Sequence, residues 1–506
     1  MSIRSPRQAL VLLALPALVV AMDQNVLFLA LPTLTDDLGA SATSQLWVSD
    51  IYGLMVAVFL IPFGVLADRV GRRRLLLAGS AVFGILSLIA VFAPSIEVLI
   101  IARALLGIAG ATIAPASLGL IVTLFPDSSE RARAIGLWMA CFMVGIALGP
   151  SMGGVLLEHF WWGAVFLPGV LIMVAVLVTG RRMLPESEIK VGASIDVPGA
   201  LLLGAAIFSL VFGLKTAVLS SATGAVAAIG GFVLTALALA LFTWRSRSHE
   251  RPVIPVALFT QRRFSAAVGL MTMCAVLIGG TYFYFSQYLQ LAAELSPIQA
   301  GLVMIIPAVA FGIGSSVGPV LTRWITPAQA LAAGLLVAAV GFAVLAFTVD
   351  QRGVLFAIVG FSLAYLGFGP GAALGTDIIV GTVPSREAGA SSAISETSTE
   401  LGQALGIAVL GSAGTMVYRN YLAPHVEMLE ANQGHALNQG VVEALNQVPH
   451  LTSVIQAAFA HSFALVATGA SLGTLLLAAL ALPLLRPADS PRDARDSARD
   501  HERNEV

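Results

Sequence analysis

Residues 386–417 read REAGASSAISETSTELGQALGIAVLGSAGTMV, a stretch that is long enough to cross a bilayer and is apolar or small at most positions. Two acids, Glu396 and Glu400, lie within it. A carboxylate at bilayer depth costs about 2.5–3.5 kcal/mol on insertion scales, so it is retained only where it faces a partner or a water-filled cavity. Residues four apart lie on one helix face, so the two acids point the same way. The stretch therefore predicts a membrane-spanning helix with one face suited to a proton or a cation.

The composition of the whole chain predicts an integral membrane protein. Of its 506 residues, 58% are apolar and 11% are charged, whereas about 25% are charged in soluble domains, and the mean hydropathy is +0.90. The first apolar run, 8–31, is too long for a signal peptide and no cleavage site follows it, so we interpret it as the first span. Cys141 and Cys274 lie in apolar runs, where thiols behave as small hydrophobic groups, so we expect neither a disulfide nor a metal site.

Fourteen apolar runs are long enough to cross about 30 Å of hydrocarbon, which predicts an all-α fold of fourteen transmembrane helices. Their approximate bounds are 8–31, 46–66, 74–93, 96–121, 134–156, 162–180, 198–218, 223–243, 264–291, 298–321, 328–348, 353–380, 388–417 and 461–485. With the N-terminus in the cytoplasm, 23 of the 27 Lys and Arg residues lie inside; Lys215, Arg352 and Arg419 lie outside, and Arg103 lies within a span. This bias predicts a multi-pass protein of the cytoplasmic (inner) membrane with both termini in the cytoplasm.

A weak internal repeat predicts two halves. The second span ends in GVLADR at 64–69 and the tenth ends in GPVLTR at 318–323, with Gly and Arg at the same spacing. Transporters are often built from duplicated six-helix halves that rock about a midplane site. The predicted units are an N-terminal bundle at 1–190 (spans 1–6), an inserted helix pair at 191–250 (spans 7–8), a C-terminal bundle at 251–485 (spans 9–14) with an outer loop at 419–460, and a disordered cytoplasmic tail at 486–506. One or two short amphipathic helices are expected in the outer loop.

Two glycine-containing motifs connect or interrupt the spans. The loop GVLADRVGRRR at 64–74 has glycines that permit a tight turn, and its Asp68 can meet a helix N-terminus or an arginine. The simpler explanation is a positively charged hairpin. In the fifth span, Gly145, Gly149 and Gly153 lie four residues apart and form a flat face for close helix packing, and Pro150 is expected to kink the helix. A structural helix contact explains this second pattern as well.

These motifs resemble those of the major facilitator superfamily. The 64–74 segment, with Gly64, Asp68, Arg69, Gly71 and Arg72, resembles the signature loop between helices 2 and 3, which implies a cytoplasmic gating loop. The segment LIIARALLGIAGA around Arg103 resembles a second signature, although Leu106 stands at the family's polar position. The pattern GIALGPSMGG, which includes Pro150, Gly153 and Gly154, resembles the signature of the antiporter branch.

The resemblance extends over residues 8–485. With fourteen spans, and with MDQNVL, WVSDIYGL and SETSTELG in spans 1, 2 and 13, the chain resembles the fourteen-helix drug:proton antiporters, especially the multidrug efflux pumps for quaternary ammonium compounds. The resemblance implies export of lipophilic cations, such as quaternary ammonium biocides and cationic dyes, against inward proton flow. Some relatives have an acid in helix 10, but 298–321 contains none, so no role of that acid carries over.

Five acids within the spans are candidates for proton or cation coupling: Asp23, Asp50, Asp377, Glu396 and Glu400. Asp23 lies about eight residues, ~12 Å, from the outer end of the first span, too deep to reach the headgroups easily. Asp50 lies only about four residues, ~6 Å, below the outer end of the second span, so an interfacial snorkelling carboxylate explains it equally well. Asp377 has the alternative of bonding a neighbouring helix.

Arg103 and two tyrosines complete the set of candidate residues. Arg103 either tunes an acid by its charge or ties the fourth span to backbone carbonyls. Tyr284 and Tyr288 share a face of the ninth span and are candidates for an aromatic cavity wall, where each ring would contribute ~0.5–2 kcal/mol to binding a cation. The favoured alternative for most of the aromatic residues near the outer ends of the spans is an interfacial belt.

The function predicted from these residues is proton-coupled export, without enzymatic activity and without a cofactor other than the proton gradient. The expected partners are small lipophilic cations, protons and membrane lipid, with no nucleic acid, and a monomer is expected. One alternative is a proton-coupled exporter of a lipid or lipophilic metabolite on the same fold; a non-transporting sensor or scaffold is a second. The nucleotide-binding pattern GxxxxGK[ST] is absent, which disfavours ATP-driven pumping.

Overall fold

The protein is built from long helices packed side by side. The computed structural model describes residues 6–186, 196–217, 222–249, 252, 254, 256–349, 353–381, 388–426, 437 and 440–485. The helices are α1 (Pro6–Leu38), α2 (Ala42–Val70), α3 (Arg72–Val91), α4 (Ile96–Gly110), α5 (Ile113–Leu124), α6 (Ser128–His159), α7 (Leu167–Met183), α8 (Val197–Ala217), α9 (Ala222–Ser248), α10 (Arg262–Leu291), α11 (Pro297–Leu321), α12 (Pro327–Val349), α13 (Val354–Gly381), α14 (Ala388–Val426), α15 (Val441–Gln447) and α16 (Thr452–Leu484). Short 3₁₀ segments lie at Trp162–Phe166, Val256–Thr260 and Pro449–Leu451.

Fourteen spans are present in the described part of the chain, which confirms the predicted all-α membrane fold. The fourth span combines α4 and α5, which are separated by a turn at 111–112. Helix α1 extends to Leu38, seven residues past the predicted end, and α2 begins at Ala42, four residues before the predicted start. A count of apolar residues stops at the edge of the hydrocarbon, whereas the helical hydrogen bonds continue beyond it. Asp50 therefore lies eight residues, ~12 Å, from the start of α2, although it lies only four residues from the apolar edge of the predicted span.

The helix ends follow local capping chemistry. The Ser41 side chain accepts a hydrogen bond from the Ser44 backbone N–H at 3.2 Å and so starts α2. Ser296 and Gln299 form a capping box at the start of α11. Gly71 joins α2 to α3 with φ of +100°, a conformation that favours glycine, and its N–H donates to Ala67 O at 3.1 Å. The tight turn expected in the 64–74 loop is therefore made by Gly71.

Helices α1–α7 pack mainly on one another, and so do α10–α14 with α16. The two bundles meet along α2 against α14 and along α6 against α11, and α8 and α9 pair with each other outside that junction. Gly154 and Gly301 allow the α6–α11 contact, because a Cβ on Gly301 would lie 2.5 Å from Pro150 O and one on Gly154 would lie 2.8 Å from Ile298 Cα. The bundles thus touch backbone to backbone at this end.

The two ends of the molecule differ in charge. The end with the α2–α3 turn, the C-terminus of α7 and the N-terminus of α10 carries Arg72, Arg73, Arg181, Arg182 and Arg262; we call it the basic face. The other end, the opposite face, carries the α1–α2 turn and α15. The loop on this face is shorter than the predicted 419–460, since α14 continues to Val426 and α16 begins at Thr452. Within it, α15 buries Val442 and Ala444. The predicted tail, 486–506, lies outside the described residues.

Candidate functional site

A cavity of about 1140 Å³ lies between the two bundles. It extends from the middle of the spans to the basic face, because its walls come from the basic-face halves of α2, α5, α6, α10, α13 and α14. The opposite face is closed by the α6–α11 contact and by polar bonds between the bundles. Gln290 Nε2 donates to Leu29 O at 2.9 Å, Ser151 Oγ donates to Gly301 O at 3.2 Å, and Ser296 Oγ donates to Glu158 Oε2 at 3.3 Å. The molecule is therefore open at the basic face and sealed at the other.

Both acids of the α14 stretch line this cavity. Glu400 is 6% exposed, and its Oε2 accepts a hydrogen bond from Gln24 Nε2 of α1 at 2.9 Å. Glu396, one turn towards the basic face, is exposed within the same cavity. Gly53 leaves room for this contact, since a Cβ there would lie 3.1 Å from Glu400 Oε2. Among the cavity-lining residues that the structure describes, none is a lysine, an arginine or a histidine, so the carboxylates dominate the charge of the wall.

Aromatic rings form a continuous strip on the cavity wall. Phe28 lies 5.2 Å from Tyr282, Tyr282 lies 6.2 Å from Tyr365, and Tyr365 lies 6.2 Å from Phe311, measured between ring centroids. Rings in such pairs attract one another at these separations. The wall thus offers flat apolar faces in the same cavity as the acids of α14, which suits a lipophilic guest.

The prediction that Tyr284 and Tyr288 form the cavity wall is wrong, and so is the alternative of an interfacial belt for them. Both are buried in the C-terminal bundle. The Tyr284 ring stacks on Phe459 and Phe463 of α16, and its hydroxyl donates to Gly411 O at 3.2 Å. Each helical residue is rotated by about 100° from the previous one, so Tyr282, two residues before Tyr284, faces nearly the opposite way and lines the cavity instead.

Asp23 is paired with Arg103 inside the N-terminal bundle. Arg103 Nη1 donates to Asp23 Oδ2 in a buried ion pair, and the guanidinium lies 4.5 Å from the centroid of the Tyr52 ring. Arg103 is therefore bonded to an acid, and the alternative of backbone carbonyl partners is not what the structure shows. Asp23 does not line the cavity, but Gln24, the next residue, does. The pair is thus one residue from the Gln24–Glu400 contact.

Asp50 also has a basic partner, which sequence reasoning missed. Lys215 Nζ of α8 donates to Asp50 Oδ1 at 2.7 Å and to Leu46 O at 3.1 Å, and it lies 3.7 Å from the centroid of the Trp47 ring. Both charged side chains are fully buried. The snorkelling carboxylate is therefore wrong for Asp50, and the assignment of Lys215 to the outer side is wrong as well. The available signal was that Lys215 falls inside the predicted seventh span, three residues from its end.

The remaining predicted residues lie around the cavity or outside the described set. Arg72 Nη1 donates to Gly119 O of α5 at 2.5 Å, and Gly64 lines the cavity near the basic face. The side chains of Asp68 and Asp377 lie outside the described residues, so their roles remain predictions. Gly145, Gly149 and Gly153 of α6 face α1; a Cβ on Gly149 would lie 2.9 Å from Met22 O. The glycine face thus brings α6 against the helix that carries Asp23.

The polar residues Gln24, Asn25 and Gln403 line the cavity and were not proposed from the sequence. Gln24 and Asn25 directly follow Asp23 in an apolar span, and Gln403 lies three residues after Glu400. Uncharged amides inside a span commonly bond across helices, which is the signal that was available.

The model of the Major Facilitator Superfamily matches residues 13–407. The chain belongs to the Major Facilitator Superfamily. Multidrug efflux pump LfrA of Mycolicibacterium smegmatis is 40% identical over 412 residues, which cover 81% of each chain. Methyl viologen resistance protein SmvA of Salmonella typhimurium is 34% identical over 480 residues, covering 92% of this chain and 95% of that protein. The Tetracenomycin C resistance and export protein of Streptomyces glaucescens is 31% identical, covering 80% of this chain and 75% of that protein.

A solved structure supports the fold of this Major Facilitator Superfamily member. A bacterial homologue of the human lysosomal transporter Spinster, in an inward-facing and unoccupied conformation, superposes with a TM-score of 0.70 over 97% of this chain and 100% of that one, at 14% identity. Family and fold together make the protein a multi-pass membrane transporter and not an enzyme.

Proposed function

We propose that the protein is a proton-coupled antiporter that exports lipophilic cations, such as quaternary ammonium compounds and cationic dyes, by alternating access. The observation that carries this proposal is the cavity itself, in which Glu396 and Glu400 face an aromatic and apolar wall without a basic residue among its described lining. A lipophilic cation needs apolar faces for its hydrocarbon groups and a negative charge for its ammonium group. A neutral cargo needs only the apolar faces.

Proton coupling follows from competition at Glu400. This carboxylate binds either a proton or a cationic cargo, so each displaces the other, and the carrier exchanges them if the empty charged form reorients poorly. Gln24 links Glu400 to α1 of the other bundle at 2.9 Å, so a change in the charge of Glu400 acts on the junction between the bundles. The buried Asp23–Arg103 pair next to Gln24 is the second candidate for handling a proton.

Alternating access is supported by the asymmetry of the closure. The cavity opens at the basic face, while the opposite face is held by backbone contacts and a few polar bonds between α6 and α11 and between α1 and α10. Rocking of the bundles would break these bonds and open the cavity on the other side.

The basic face is proposed to be cytoplasmic in the inner membrane, because the Lys and Arg residues are concentrated on that side. We also propose that the protein acts as a monomer and draws its energy from the proton gradient alone.

The direction of transport is supported by the relatives. They are a multidrug efflux pump, a methyl viologen resistance protein and a tetracenomycin C resistance and export protein, so two of the three names state outward transport and the third states resistance.

The test is a substrate screen with purified protein in liposomes under an imposed pH gradient. Monovalent cationic dyes, bis-quaternary compounds and neutral lipophilic dyes are compared at matched hydrophobicity, and a trapped pH indicator follows proton movement. We expect cations to be transported against protons and neutral dyes to be ignored. Preference for neutral cargo would instead favour the exporter of a lipid or lipophilic metabolite, and the absence of cargo-dependent proton movement would exclude antiport.

A further inference from the structure

The inserted helix α8 covers the junction where the two bundles meet at α2 and α14. Ile51 and Leu54 of α2, Ile207 and Val211 of α8, and Ala404 and Ala408 of α14 belong to one buried apolar cluster that is separate from the main core. Glu400 lies one turn before Ala404 on the same helix. None of the residues of this cluster is among the described lining of the cavity, so α8 covers the α2–α14 junction beside the cavity.

The attachment of α8 to α2 is both polar and close. Lys215 Nζ bonds Asp50 Oδ1 at 2.7 Å and Leu46 O at 3.1 Å, and it lies 3.7 Å from the centroid of the Trp47 ring; all three partners belong to α2. About three turns away along α8, a Cβ on Gly204 would lie 3.9 Å from Val58 Cβ. A buried charge pair of this kind holds its geometry, because separating the charges would leave each one unpaired in an apolar surrounding.

The contact of α8 with α14 is of a different kind. Ala404 and Ala408 of α14 belong to the shared apolar cluster, and Leu401 and Leu405 of the same helix pack against it. Apolar contact of this kind is non-directional, so it does not fix one helix against the other as a buried ion pair does. Helix α8 is thus held to the N-terminal bundle by a buried ion pair, whereas its contact with the C-terminal bundle is apolar and non-directional.

We propose that α8 and α9 form a seal that moves with α2 and slides over α14 during transport, and that Asp50 and Lys215 are the positioning pair that fixes this seal to α2. Asp50 then acts through Lys215 on the position of α8 and carries no proton in the cycle. The proposal rests on the alternating access of the proposed function, but it does not depend on the cargo or on which acid carries the proton.

A double-mutant cycle tests the pair. Asp50→Asn, Lys215→Met and the double variant are placed in liposomes, and proton leak without cargo is measured beside cargo transport. We expect each single variant to leak protons and to lose transport, because it leaves one buried charge unpaired, whereas the double variant regains both functions. Lys215→Arg, which keeps the charge, should retain transport with an unchanged KM and an unchanged pH profile. A double variant as inactive as Asp50→Asn, or a fully active Lys215→Met, would overturn the proposal.

Cross-linking tests the movement without disturbing the charges. In a parent that lacks Cys141 and Cys274, Val58→Cys with Gly204→Cys joins α8 to α2 at a separation that suits a disulfide. Val211→Cys with Ala408→Cys, joined by a short thiol cross-linker, ties α8 to α14. We expect the first link to leave transport intact and the second to stop it until a reductant or a cleavable linker releases it. Loss of transport on forming the α8–α2 link contradicts the proposal.

The parent protein separates this proposal from the proposed function. If the parent fails to exchange cations for protons, the proposed function is wrong. The transport rate of the cross-linked protein relative to the protein before cross-linking still tests the seal, with whichever cargo the parent carries.

Discussion

Glu400 joins two features that are rarely found together, because it is nearly buried yet lines a wide cavity and receives a hydrogen bond from the other bundle. A cation about 6 Å from its carboxylate, at an effective dielectric constant of about 20, is bound by about 3 kcal/mol. We therefore expect Glu400→Gln to raise the KM for a monovalent cationic dye by up to about a hundredfold, measured as dye export under a fixed proton gradient.

The matched control for this substitution is Glu97→Gln, at an exposed position at the start of α4 and away from the cavity. It should leave the KM unchanged. Equal KM values for Glu400→Gln and the unsubstituted protein would show that the carboxylate does not bind the cargo.

Arg103 is fully buried, and the side chain of its ion-pair partner Asp23 is only 4% exposed. Arg103→Met would strand the Asp23 carboxylate in the bundle, and removing one partner of a buried pair costs about 3–5 kcal/mol. We expect this variant to unfold at a clearly lower temperature, followed by a thiol-reactive dye during heating. Adding Asp23→Asn should restore most of the loss, and a melting temperature for Arg103→Met equal to that of the unsubstituted protein would contradict the account.

Residue by residue, the acids could be found from the sequence, and Arg103 was a candidate partner for an acid, but the sequence did not show which residues pair. A carboxylate in an apolar run is conspicuous because its burial is costly, which is why Asp23, Asp50 and Glu400 were found. The partner of Asp50 is Lys215, 165 residues away, and no local pattern connects the two. The prediction for Tyr284 and Tyr288 was wrong for a different reason. In TYFYFSQY every side of the helix has an aromatic ring, so the spacing does not show which ring faces the cavity.

At the scale of helices, the contact between α6 and α11 sets which face is closed. A Cβ on Gly301 would lie 2.5 Å from Pro150 O, a separation that real side chains do not adopt, so a larger residue must push the two helices apart. We expect Gly301→Val to shift the population towards opening of the opposite face. Spin labels at Asp37→Cys and Ser453→Cys, in a cysteine-free parent, should then lie farther apart than in the same parent with Gly301.

The control for this change is Gly136→Ala on α6, where a Cβ would meet nothing within 4 Å. Its label distances should match those of the parent. An unchanged distance in Gly301→Val would mean that this contact does not hold the closed face.

The number and order of the spans were predictable because hydrocarbon thickness fixes the length of an apolar run. The ends of the helices were harder to predict. Helix α1 continues through Pro32 to Leu38, and α14 continues to Val426, because backbone hydrogen bonds extend a helix beyond the apolar region. The break between α4 and α5 was also missed. Its sequence, GATI, contains no charged residue and no proline to mark a break, and the turn is stabilised by Thr112, whose hydroxyl donates to Ala109 O at 2.7 Å.

At the scale of the whole molecule, the energetics constrain the proton count. A hundredfold outward gradient of a monovalent cation requires about 2.7 kcal/mol, whereas one pH unit supplies about 1.4 and 100 mV supplies about 2.3 per net charge moved. One proton per cation is electroneutral and draws only on the pH difference. Two acids, Glu396 and Glu400, face the same cavity.

We therefore expect two protons per monovalent cation, so that each cycle moves one net charge. At a constant pH difference, a potential of 100 mV, negative on the basic face, should then raise the steady-state concentration ratio of the cation across the membrane by up to about fiftyfold. The measurement uses liposomes in which a potassium gradient and an ionophore set the potential. A gradient that does not respond to potential would establish one proton per cation.

Cys274 lies on the cavity wall, close to where the cargo is expected to sit, while Cys141 is not among the described lining residues. The thiol has no basic neighbour among the described lining to activate it, so only a strong electrophile that enters from the basic face would alkylate Cys274, and the adduct would then stay in the cargo's place. The protein therefore carries a built-in position for covalent inhibition, and a bound cargo should slow the reaction in proportion to its occupancy. Compounds that are poor transport substrates but reactive towards thiols would then become inhibitors of the pump.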